Sequence, residues 1–270
     1  MQEVWRQLSF DQICGSDGSL RWNKRCSRFV PRDTSFNPSR CEVVPLPEAD
    51  AKRFIESAHY SRSYPAARFR CGIMVKPAFG AEYLGGVAVF SVPMQGRVIT
   101  KYLGVGVENQ GVELGRLVLQ DTPELGFNAE TFFLSRSFKL LRRAIPSLEG
   151  VVSFADPLPR YAEDGITVVK PGHAGVCYRA FSGAYKGRSS KRKLIVSRSG
   201  QVVSERALSK IRNGESGEQY ASKQLITMGA PVRAPFEDGR DYVDRALLEG
   251  GFNRVAQPGN YVFSWNFARR

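Results

Sequence analysis

The sequence contains few cysteines and histidines for a chain of 270 residues, and this scarcity excludes several kinds of site. The five cysteines are odd in number, widely spaced and free of any Cys-x-x-Cys pair. We therefore predict neither a disulfide framework nor a zinc knuckle, and we expect reduced, mostly buried thiols. A metal shared by Cys14, Cys26 and Cys41 is the alternative. The two histidines, His59 and His173, are too few for a histidine-rich metal centre and leave only a sparse one.

Long apolar runs are also absent. No stretch approaches the ~20 uninterrupted apolar residues of a membrane span, and residues 1–10 lack the basic segment and apolar run of a signal peptide. We expect a cytoplasmic protein without a membrane partner. A hydrophobic share of 42% and a charged share of 24% are ordinary for globular proteins, and no repeat or low-complexity tract is present. Fibrous and wholly disordered classes are therefore excluded.

Acidic residues are scarce relative to basic ones. The chain has 39 Lys and Arg residues against 26 Asp and Glu residues, which gives a net charge of +13. Basic surfaces attract phosphates and release condensed counterions on contact, so nucleic acid is the first partner to expect. Most of the excess lies in residues 51–100 and 151–200, the two segments that also contain the histidines.

The sequence patterns predict an α+β fold, in which a mixed β-sheet is flanked by helices. Residues 1–42 show no periodicity and are predicted to form an irregular N-terminal arm or an extension lying on the domain, so the catalytic domain is expected over residues 43–270. Apolar spacing and end signals predict helices over residues 47–58, 129–143 (capped by Asn128), 174–181 and 205–213. Strands are predicted over residues 69–75, 84–92, 115–119, 150–155 and 261–267, with a further strand pair turning at Ser199-Gly200.

The strand predicted over residues 150–155 is nearly all apolar and ends at Asp156-Pro157. A carboxylate in this position needs a partner, so Asp156 either caps the adjacent turn or is held for chemistry. Because Asp-Pro is an ordinary turn opener, the local sequence leaves both interpretations open. His173 lies between small residues that leave its imidazole accessible, although a lone histidine is more often structural or solvated.

A strand, a turn and a helix follow one another over residues 113–143. A helix N-terminus presents free backbone N–H groups and a positive dipole end to a pyrophosphate, and Gly126 allows close approach of the backbone. A purely structural unit is the alternative. The segment Glu113-Leu114-Gly115-Arg116-Leu117, with the turn and helix after it, resembles the acyl-CoA-binding part of the GNAT acyltransferase superfamily. This resemblance implies a GNAT-like sheet, acetyl-CoA as cofactor, and a cofactor site of Arg116, Leu117, Val118, Gly126 and Asn128.

A second set of motifs resembles the phage Mom family, whose members hypermodify adenine in DNA. The motifs are His59-Tyr60-Ser61, Ser153-Phe154-Ala155-Asp156-Pro157, Gly172-His173-Ala174-Gly175, Tyr178, Ala180, Tyr185 and Gly187. The resemblance extends from about Val43 to the C-terminus, and residues 158–171 separate two motifs that are almost adjacent in the family. It implies conversion of the N6 amine of adenine in double-stranded DNA to a carbamoylmethyl (acetamido) form, using acetyl-CoA, with or without bound iron.

This reaction makes demands that the candidate residues can meet. The lone pair of N6 is delocalised into the purine ring, so the amine needs an acceptor to orient and deprotonate it, and Asp156 is our candidate. Tyr60 and Tyr178 are candidate donors to a developing negative charge. Ser153 and His59 complete the predicted catalytic set, and His59 with Tyr60 or Asp156 is the candidate metal site.

Contact with duplex DNA is predicted for the basic segment over residues 179–198. Its candidate phosphate ligands are Lys186, Arg188, Lys191, Arg192 and Lys193, and His173 is a further candidate contact. We expect base flipping, because N6 is hard to reach inside the stack. A solvated basic loop is the alternative for this segment. The expected role is protection of phage or mobile-element DNA from restriction; an N-acyltransferase for small-molecule or protein amines and a non-enzymatic DNA-binding protein are the other candidates.

Overall fold

The computed structural model describes residues 18–23 and 26–267, which form two compact units. The first unit contains the described residues up to Leu158, together with Pro171–Ser189 and the segment that begins at Asn260. The second unit contains Pro159–Lys170 and Ser190–Gly259. The prediction of one catalytic domain over residues 43–270 did not include this division. None of the described helices is long and apolar enough to cross a membrane.

The described residues form fourteen strands. In chain order they are β1 (Gly18–Asn23), β2 (Cys26–Pro31), β3 (Cys41–Pro45), β4 (Ala67–Val75), β5 (Tyr83–Ser91), β6 (Gly111–Leu119), β7 (Gly150–Ala155), β8 (Arg160–Tyr161), β9 (Val168–Lys170), β10 (Ala184–Arg188), β11 (Arg192–Val196), β12 (Val202–Val203), β13 (Asn253–Gln257) and β14 (Tyr261–Asn266). The same residues form seven α-helices. These are α1 (Glu48–Ala58), α2 (Arg97–Leu103), α3 (Ala129–Ala144), α4 (Val176–Ala180), α5 (Glu205–Arg212), α6 (Glu218–Thr227) and α7 (Gly239–Glu249).

The main sheet of the first unit has seven strands in the order β10-β14-β7-β6-β5-β4-β3. Neighbouring strands are antiparallel except β6 and β7, which are parallel and are joined in sequence through α3. Both faces are covered by helices. One face of the sheet packs on α3, through residues such as Phe133 and Leu141. The opposite face packs on α1, through Ala51 and Ile55, and on α2, through Ile99. The predicted α+β class is confirmed, with a mostly antiparallel sheet.

The second unit has its own core. Its strands form a three-stranded antiparallel sheet, in the order β12-β11-β13, and a separate β8-β9 pair. Helices α5, α6 and α7 contribute Leu208, Leu225 and Tyr242 to a cluster that also contains Ile195 of β11. The strand pair predicted around Ser199-Gly200 corresponds to β11 and β12. The basic segment predicted over residues 179–198 therefore begins in the first unit and ends in the second.

Two local predictions were wrong. The side chain of Asn128 does not cap α3, because Asn128 has a left-handed backbone with φ of 71°, whereas a side-chain N-cap needs an extended backbone. The arm over residues 1–42 is not irregular throughout, since β1 and β2 pair from Gly18 with Pro31 to Asn23 with Cys26. Short strands of mixed polarity give no long apolar run, so composition did not reveal this hairpin. Residues 1–17 and 24–25 of the arm lie outside the described residues.

Candidate active site

The parallel strands β6 and β7 separate after three residue pairs. Residues 111–113 pair with residues 150–152, whereas β6 continues to Leu119 and β7 continues to Ala155. We name the space between residues 114–119 and 153–155 the β6–β7 gap. Backbone groups of an interrupted ladder still need hydrogen-bond partners, so side chains or a ligand must supply them at this gap.

A bulge in β6 sets which side chains border the gap. Leu114 pairs with Phe90 of β5 and Arg116 pairs with the preceding Val89, so Gly115 is the extra residue. The bulge reverses the alternation of side chains along β6. Leu114 and Leu117 consequently both pack in the α3-side core, while Arg116 and Val118 point to the opposite, α1-side face. A Cβ on Gly115 would lie 2.5 Å from the Ser91 hydroxyl, which explains the glycine.

Side chains donate hydrogen bonds to backbone carbonyl oxygens at the gap. The Ser153 hydroxyl of β7 is fully buried and donates to the carbonyl oxygen of Leu114 at 3.0 Å. Nη1 of Arg116 donates to the carbonyl oxygen of its neighbour Gly115 at 2.6 Å. Ser153 also shares a hydrogen bond with the hydroxyl of Tyr178 on α4. The predicted catalytic residues Ser153 and Tyr178 therefore lie together at the gap.

The turn after α1 supplies the second side of the site. Helix α1 ends at Ala58, where the N–H of His59 donates to the Ile55 carbonyl. The backbone N–H of Ser61 donates to Nδ1 of His59 at 3.1 Å, and Arg62 closes the turn in the left-handed region with φ of 46°. The rings of His59 and Tyr60 are in contact, with centroids 4.1 Å apart. A strained, hydrogen-bonded turn thus fixes both predicted residues.

His59 is buried and uncharged. Burial lowers its pKa well below the ordinary value of 6.5, and the nearby positive charges of Arg116 and His173 lower it further. Nδ1 accepts the Ser61 N–H and lies 2.8 Å from the Ser61 hydroxyl, so a neutral imidazole that accepts both hydrogen bonds has its single proton on Nε2. His59 therefore offers an N–H donor at the site.

Arg116 is held in place by the loop after this turn. Its Nε donates to the carbonyl oxygen of Ser63 at 2.9 Å, and its Nη2 donates to the Ser63 hydroxyl at 2.8 Å. Burial lowers the pKa of Arg116, and its electrostatic interactions with Tyr60, Glu113 and Tyr178 oppose that effect. An arginine stays charged even so. The structure therefore places one guanidinium among two phenols and a carboxylate.

Tyr178 lies in an aromatic pocket of the first unit. Its ring centroid is 5.6 Å from that of Phe263, 5.7 Å from that of Trp265 and 6.4 Å from that of His173. Burial raises the pKa of Tyr178 far above its ordinary value, and the hydrogen bond with Ser153 opposes this only in part. The phenol is therefore protonated, and it donates to the Ser153 hydroxyl oxygen, because the Ser153 proton is donated to the Leu114 carbonyl.

Asp156 and His173 remain adjacent despite the residues between them in sequence. The backbone N–H of His173 donates to the carbonyl oxygen of Asp156 at 2.9 Å, and residues 159–170 belong to the second unit. Oδ1 of Asp156 accepts the Leu158 N–H at 3.2 Å, so its carboxylate fills the turn-opening role that an Asp-Pro pair commonly has. Gly175, with φ of 71°, follows His173, and a Cβ there would lie 2.6 Å from the Phe263 ring.

The predicted cofactor residues occupy three different surroundings. Leu117 and Val118 pack into opposite faces of the sheet, whereas Arg116 borders the gap. Gly126 abuts the backbone of the chain before β3, because a Cβ there would lie 2.2 Å from the carbonyl oxygen of Ser35. Gly126 and Asn128 thus lie at the start of α3, beyond the end of β6.

A buried ion pair lies beside this helix start. Arg21 is 3% exposed, and its Nε contacts Oε1 of Glu130 at 2.5 Å while Nη1 donates to the carbonyl oxygen of Gln120 at 3.0 Å. Burial, followed by the charge of Glu130, raises the pKa of Cys177 to about 12, so the start of α3 lies near α4.

A cavity of about 530 Å³ adjoins the start of α3, and we name it the α3 cavity. Its lining residues are Arg32, Asp33, Thr34, Ser35, Phe36, Pro38, Phe127, Asn128, Thr131 and Phe132.

The candidate DNA-binding residues are divided between the units. Lys186 and Arg188 lie on β10 of the first unit, the former exposed and the latter half-buried. Lys191, Arg192 and Lys193 are exposed in the second unit. His173 is half-buried at the active site.

Few side chains of the described residues could ligate a metal ion. Among residues 18–23 and 26–267, no group of three His, Cys, Asp or Glu side chains could hold a metal ion. Cys14, part of the alternative cysteine site, lies outside the described residues, and Cys41 is a free thiol. The predicted metal pair of His59 and Tyr60 would need its remaining ligands from elsewhere.

The predicted site list omitted residues that the structure brings to the gap. Glu113 lies two residues before the bulge and interacts electrostatically with Arg116 and Tyr178. A charged residue within the apolar strand β6 was the available signal. Ser61 and Ser63 position His59 and Arg116, but serines in a loop carry no comparable signal.

Comparison with known proteins agrees with the motifs at this site. A model of the Mom protein family matches residues 40–234, which include His59, Arg116, Ser153, Asp156 and Tyr178. The match ends before the C-terminus, earlier than the sequence motifs had indicated. No curated protein matches the chain significantly. Because the family match covers more than half of the 270 residues, the chain belongs to the Mom protein family, which is associated with modification of adenine in phage DNA.

Proposed function

We propose that this chain converts the N6 amine of adenine in double-stranded DNA to its N6-carbamoylmethyl form, with acetyl-CoA as the source of the two carbons. The β6–β7 gap is the observation that carries the proposal, because polar side chains from the turn after α1 and from β6, β7 and α4 meet at one opening in the sheet. A parallel pair that opens beside the helix connecting its strands also supports a GNAT-like acyl-CoA site.

The gap suits the pantetheine arm of acetyl-CoA. Pantetheine is an extended chain with two amide groups, and an extended amide chain can complete an interrupted ladder as an added strand does. We assign it to the β7-facing edge of residues 116–119, which pair with β5 but have no β7 partner, because side chains already occupy the carbonyls of Leu114 and Gly115. The phosphates then extend towards the α3 cavity, where the positive end of the helix dipole favours negative charge and the lining charges of Arg32 and Asp33 balance each other.

The target base is assigned to the other side of the gap. An extruded adenine can stack on the Tyr60 ring, which His59 supports from behind at a centroid distance of 4.1 Å. Asp156 remains our candidate acceptor for the N6 proton, and its hydrogen bond from Leu158 fixes the orientation of the carboxylate.

Three groups can stabilise negative charge that develops on the acyl oxygen. The Nε2–H of His59 is a neutral donor, the protonated phenol of Tyr178 becomes one when its hydrogen turns from Ser153 to the substrate, and Arg116 supplies a full positive charge. All three are positioned by other side chains, so little reorganisation is needed during the reaction.

The carbamoylmethyl product sets a chemical balance that acetyl-CoA alone does not meet. The new bond joins N6 to the methyl carbon of the acetyl unit with loss of one hydrogen from each atom, so a soluble two-electron acceptor must take up two electrons and two protons. An ammonia-level nitrogen donor must displace coenzyme A, which leaves as its thiol. Bound iron could supply redox chemistry, but a ligating imidazole usually donates its other ring N–H to an acceptor. In His59, Nδ1 instead accepts from Ser61 and Nε2 holds the proton, so this arrangement does not fit an iron ligand. No step of the proposed mechanism uses a metal.

Modification at N6 would protect DNA from restriction by a direct physical route. The N6 amine is the donor that marks adenine in the major groove, so a substituent there removes a contact that sequence-specific nucleases read.

DNA binding is assigned to the exposed basic residues. Reversal of the three charges at Lys191, Arg192 and Lys193 should lower the salt dependence of DNA affinity, with a decrease of about 2.7 in the logarithmic slope if each contacts a phosphate. An unchanged slope would contradict this assignment.

Labelled acetyl-CoA tests the proposal. The purified protein is incubated with duplex DNA and carbon-13 acetyl-CoA in a cell extract that supplies the other reactants, and the nucleosides are analysed by mass spectrometry. We expect a labelled adenosine whose added group is heavier than acetyl by one nitrogen and one hydrogen. A labelled N6-acetyladenosine would assign simple acyl transfer, and an unlabelled modified adenosine would exclude acetyl-CoA as the carbon source.

A further inference from the structure

A second aromatic and basic cluster lies on the surface of the first unit. Arg179, Tyr185, Arg188 and Tyr261 line one depression, which we name the Tyr185 cluster. Tyr185 is 53% exposed, whereas Tyr261 is buried. An exposed aromatic ring beside two guanidinium groups is the combination that proteins use to hold a nucleotide, because bases stack on rings and guanidinium groups bind phosphate.

A bulge in the edge strand β10 creates the cluster. Tyr185 pairs with Phe263 of β14, and Arg188 pairs with Tyr261, so β10 has one residue more than β14 between the two pairs. Gly187 adopts the left-handed backbone that this irregularity requires, with φ of 84°. In a regular strand Tyr185 and Arg188 would point to opposite faces. The bulge places both on the face that carries Tyr261.

Contacts within the cluster orient Arg188. Its guanidinium carbon lies 4.9 Å from the centroid of the Tyr261 ring, and Nη2 donates to the Tyr261 hydroxyl at 3.1 Å. The Tyr185 ring also contacts Tyr261, with centroids 5.8 Å apart. A stacked and hydrogen-bonded guanidinium loses little further entropy when it binds a phosphate.

A single side chain, Phe263, connects the cluster to the candidate active site. Phe263 contacts both Tyr185 and Tyr178, with centroid distances of 5.7 and 5.6 Å. A strand whose target nucleotide enters the gap between Tyr60 and Tyr178 can therefore place a neighbouring nucleotide at Tyr185.

We propose that the Tyr185 cluster binds a nucleotide of the DNA strand beside the target adenine, with the base stacked on Tyr185 and the phosphate held by Arg179 and Arg188. This inference rests on the proposed DNA-modifying function and adds a contact that would hold the strand after base extrusion. The adenosine phosphate part of coenzyme A has the same chemistry, so the experiment must separate the two sources.

The test measures DNA binding and coenzyme A binding separately. DNA affinity is measured by fluorescence anisotropy with a short labelled oligonucleotide, without acetyl-CoA, and coenzyme A binding is measured by thermal stabilisation. The Tyr185→Ala variant should weaken DNA binding by about 5- to 150-fold, the range for loss of one stacked base, and should keep the stabilisation by coenzyme A. Tyr185→Phe should restore the DNA affinity, because it retains the stacking face.

Tyr220 provides the matched control, since it is 65% exposed on α6 of the second unit. DNA affinity of Tyr185→Ala equal to that of Tyr220→Ala would overturn the proposal. Loss of stabilisation by coenzyme A with unchanged DNA affinity would overturn it as well and would assign the cluster to the cofactor. Tyr185-dependent DNA binding by a protein that leaves adenine unmodified would contradict the proposed function and leave the cluster assigned to DNA.

Discussion

Lowering the pH should destabilise the first unit through His59. The chain has only two histidines, and burial holds the pKa of His59 well below 6.5 in the folded protein. Above pH 6.5, His59 is neutral in both states and adds no pH dependence. Below pH 6.5, the unfolded chain binds a proton that the folded protein does not bind. The free energy of unfolding should therefore fall by about 1.4 kcal/mol per pH unit, until the pH reaches the lowered pKa of folded His59.

Urea unfolding from about pH 7.5 to about pH 5.5 measures this slope. The variant His59→Asn keeps an oxygen acceptor for the Ser61 N–H but cannot titrate, so its stability should depend less on pH by that amount. His173→Gln is the matched control, because it removes the other histidine. A proton NMR titration of the two imidazoles reports the pKa of His59 directly. A slope in His59→Asn equal to that of the wild type, or an His59 pKa at or above 6.5, would refute the reasoning.

Three further predictions concern stability and thiol reactivity. Gly126→Ala would place a Cβ 2.2 Å from a backbone carbonyl oxygen and should cost about 1–3 kcal/mol in thermal unfolding; Gly106→Ala has open space and should be nearly neutral, so equal losses would contradict this account. Arg21→Met would leave the buried carboxylate of Glu130 unpaired and should cost about 3–5 kcal/mol, most of which Glu130→Leu in the same chain should restore. Burial raises the pKa of Cys71 to about 12, so iodoacetamide at about pH 8 should alkylate it only after unfolding, as peptide mass spectrometry can check.

The sequence predicted the elements whose signal is local. Ala51 and Ile55 recur at helical spacing, and the structure buries both on the inner side of α1. The apolar run over residues 150–155 became β7, an interior strand of the sheet, with Asp156 directly after its end. Family motifs led to His59, Tyr60, Ser153 and Tyr178, which lie at the gap although up to 119 residues separate them.

The remaining features depend on contacts that no local pattern records. The Gly115 bulge is defined only by pairing with β5, and the point where β6 and β7 separate is defined only by a strand 39 residues later. Arg116 is positioned by Ser63, a loop residue 53 positions earlier. The division into two units also follows from tertiary packing, since each unit contains segments that are far apart in sequence.

The nucleosides of DNA from cells that express this chain test the central claim most directly. Co-expressed plasmid DNA is digested and every adenosine is examined by mass spectrometry, with Arg116→Gln as the site variant and the exposed Arg143→Gln as its control. We predict an adenosine of increased mass with the wild type and with Arg143→Gln, and its loss with Arg116→Gln. Unchanged adenosine in cells that contain folded wild-type protein, or modification that persists in Arg116→Gln, would contradict the assignment of adenine modification to the β6–β7 gap.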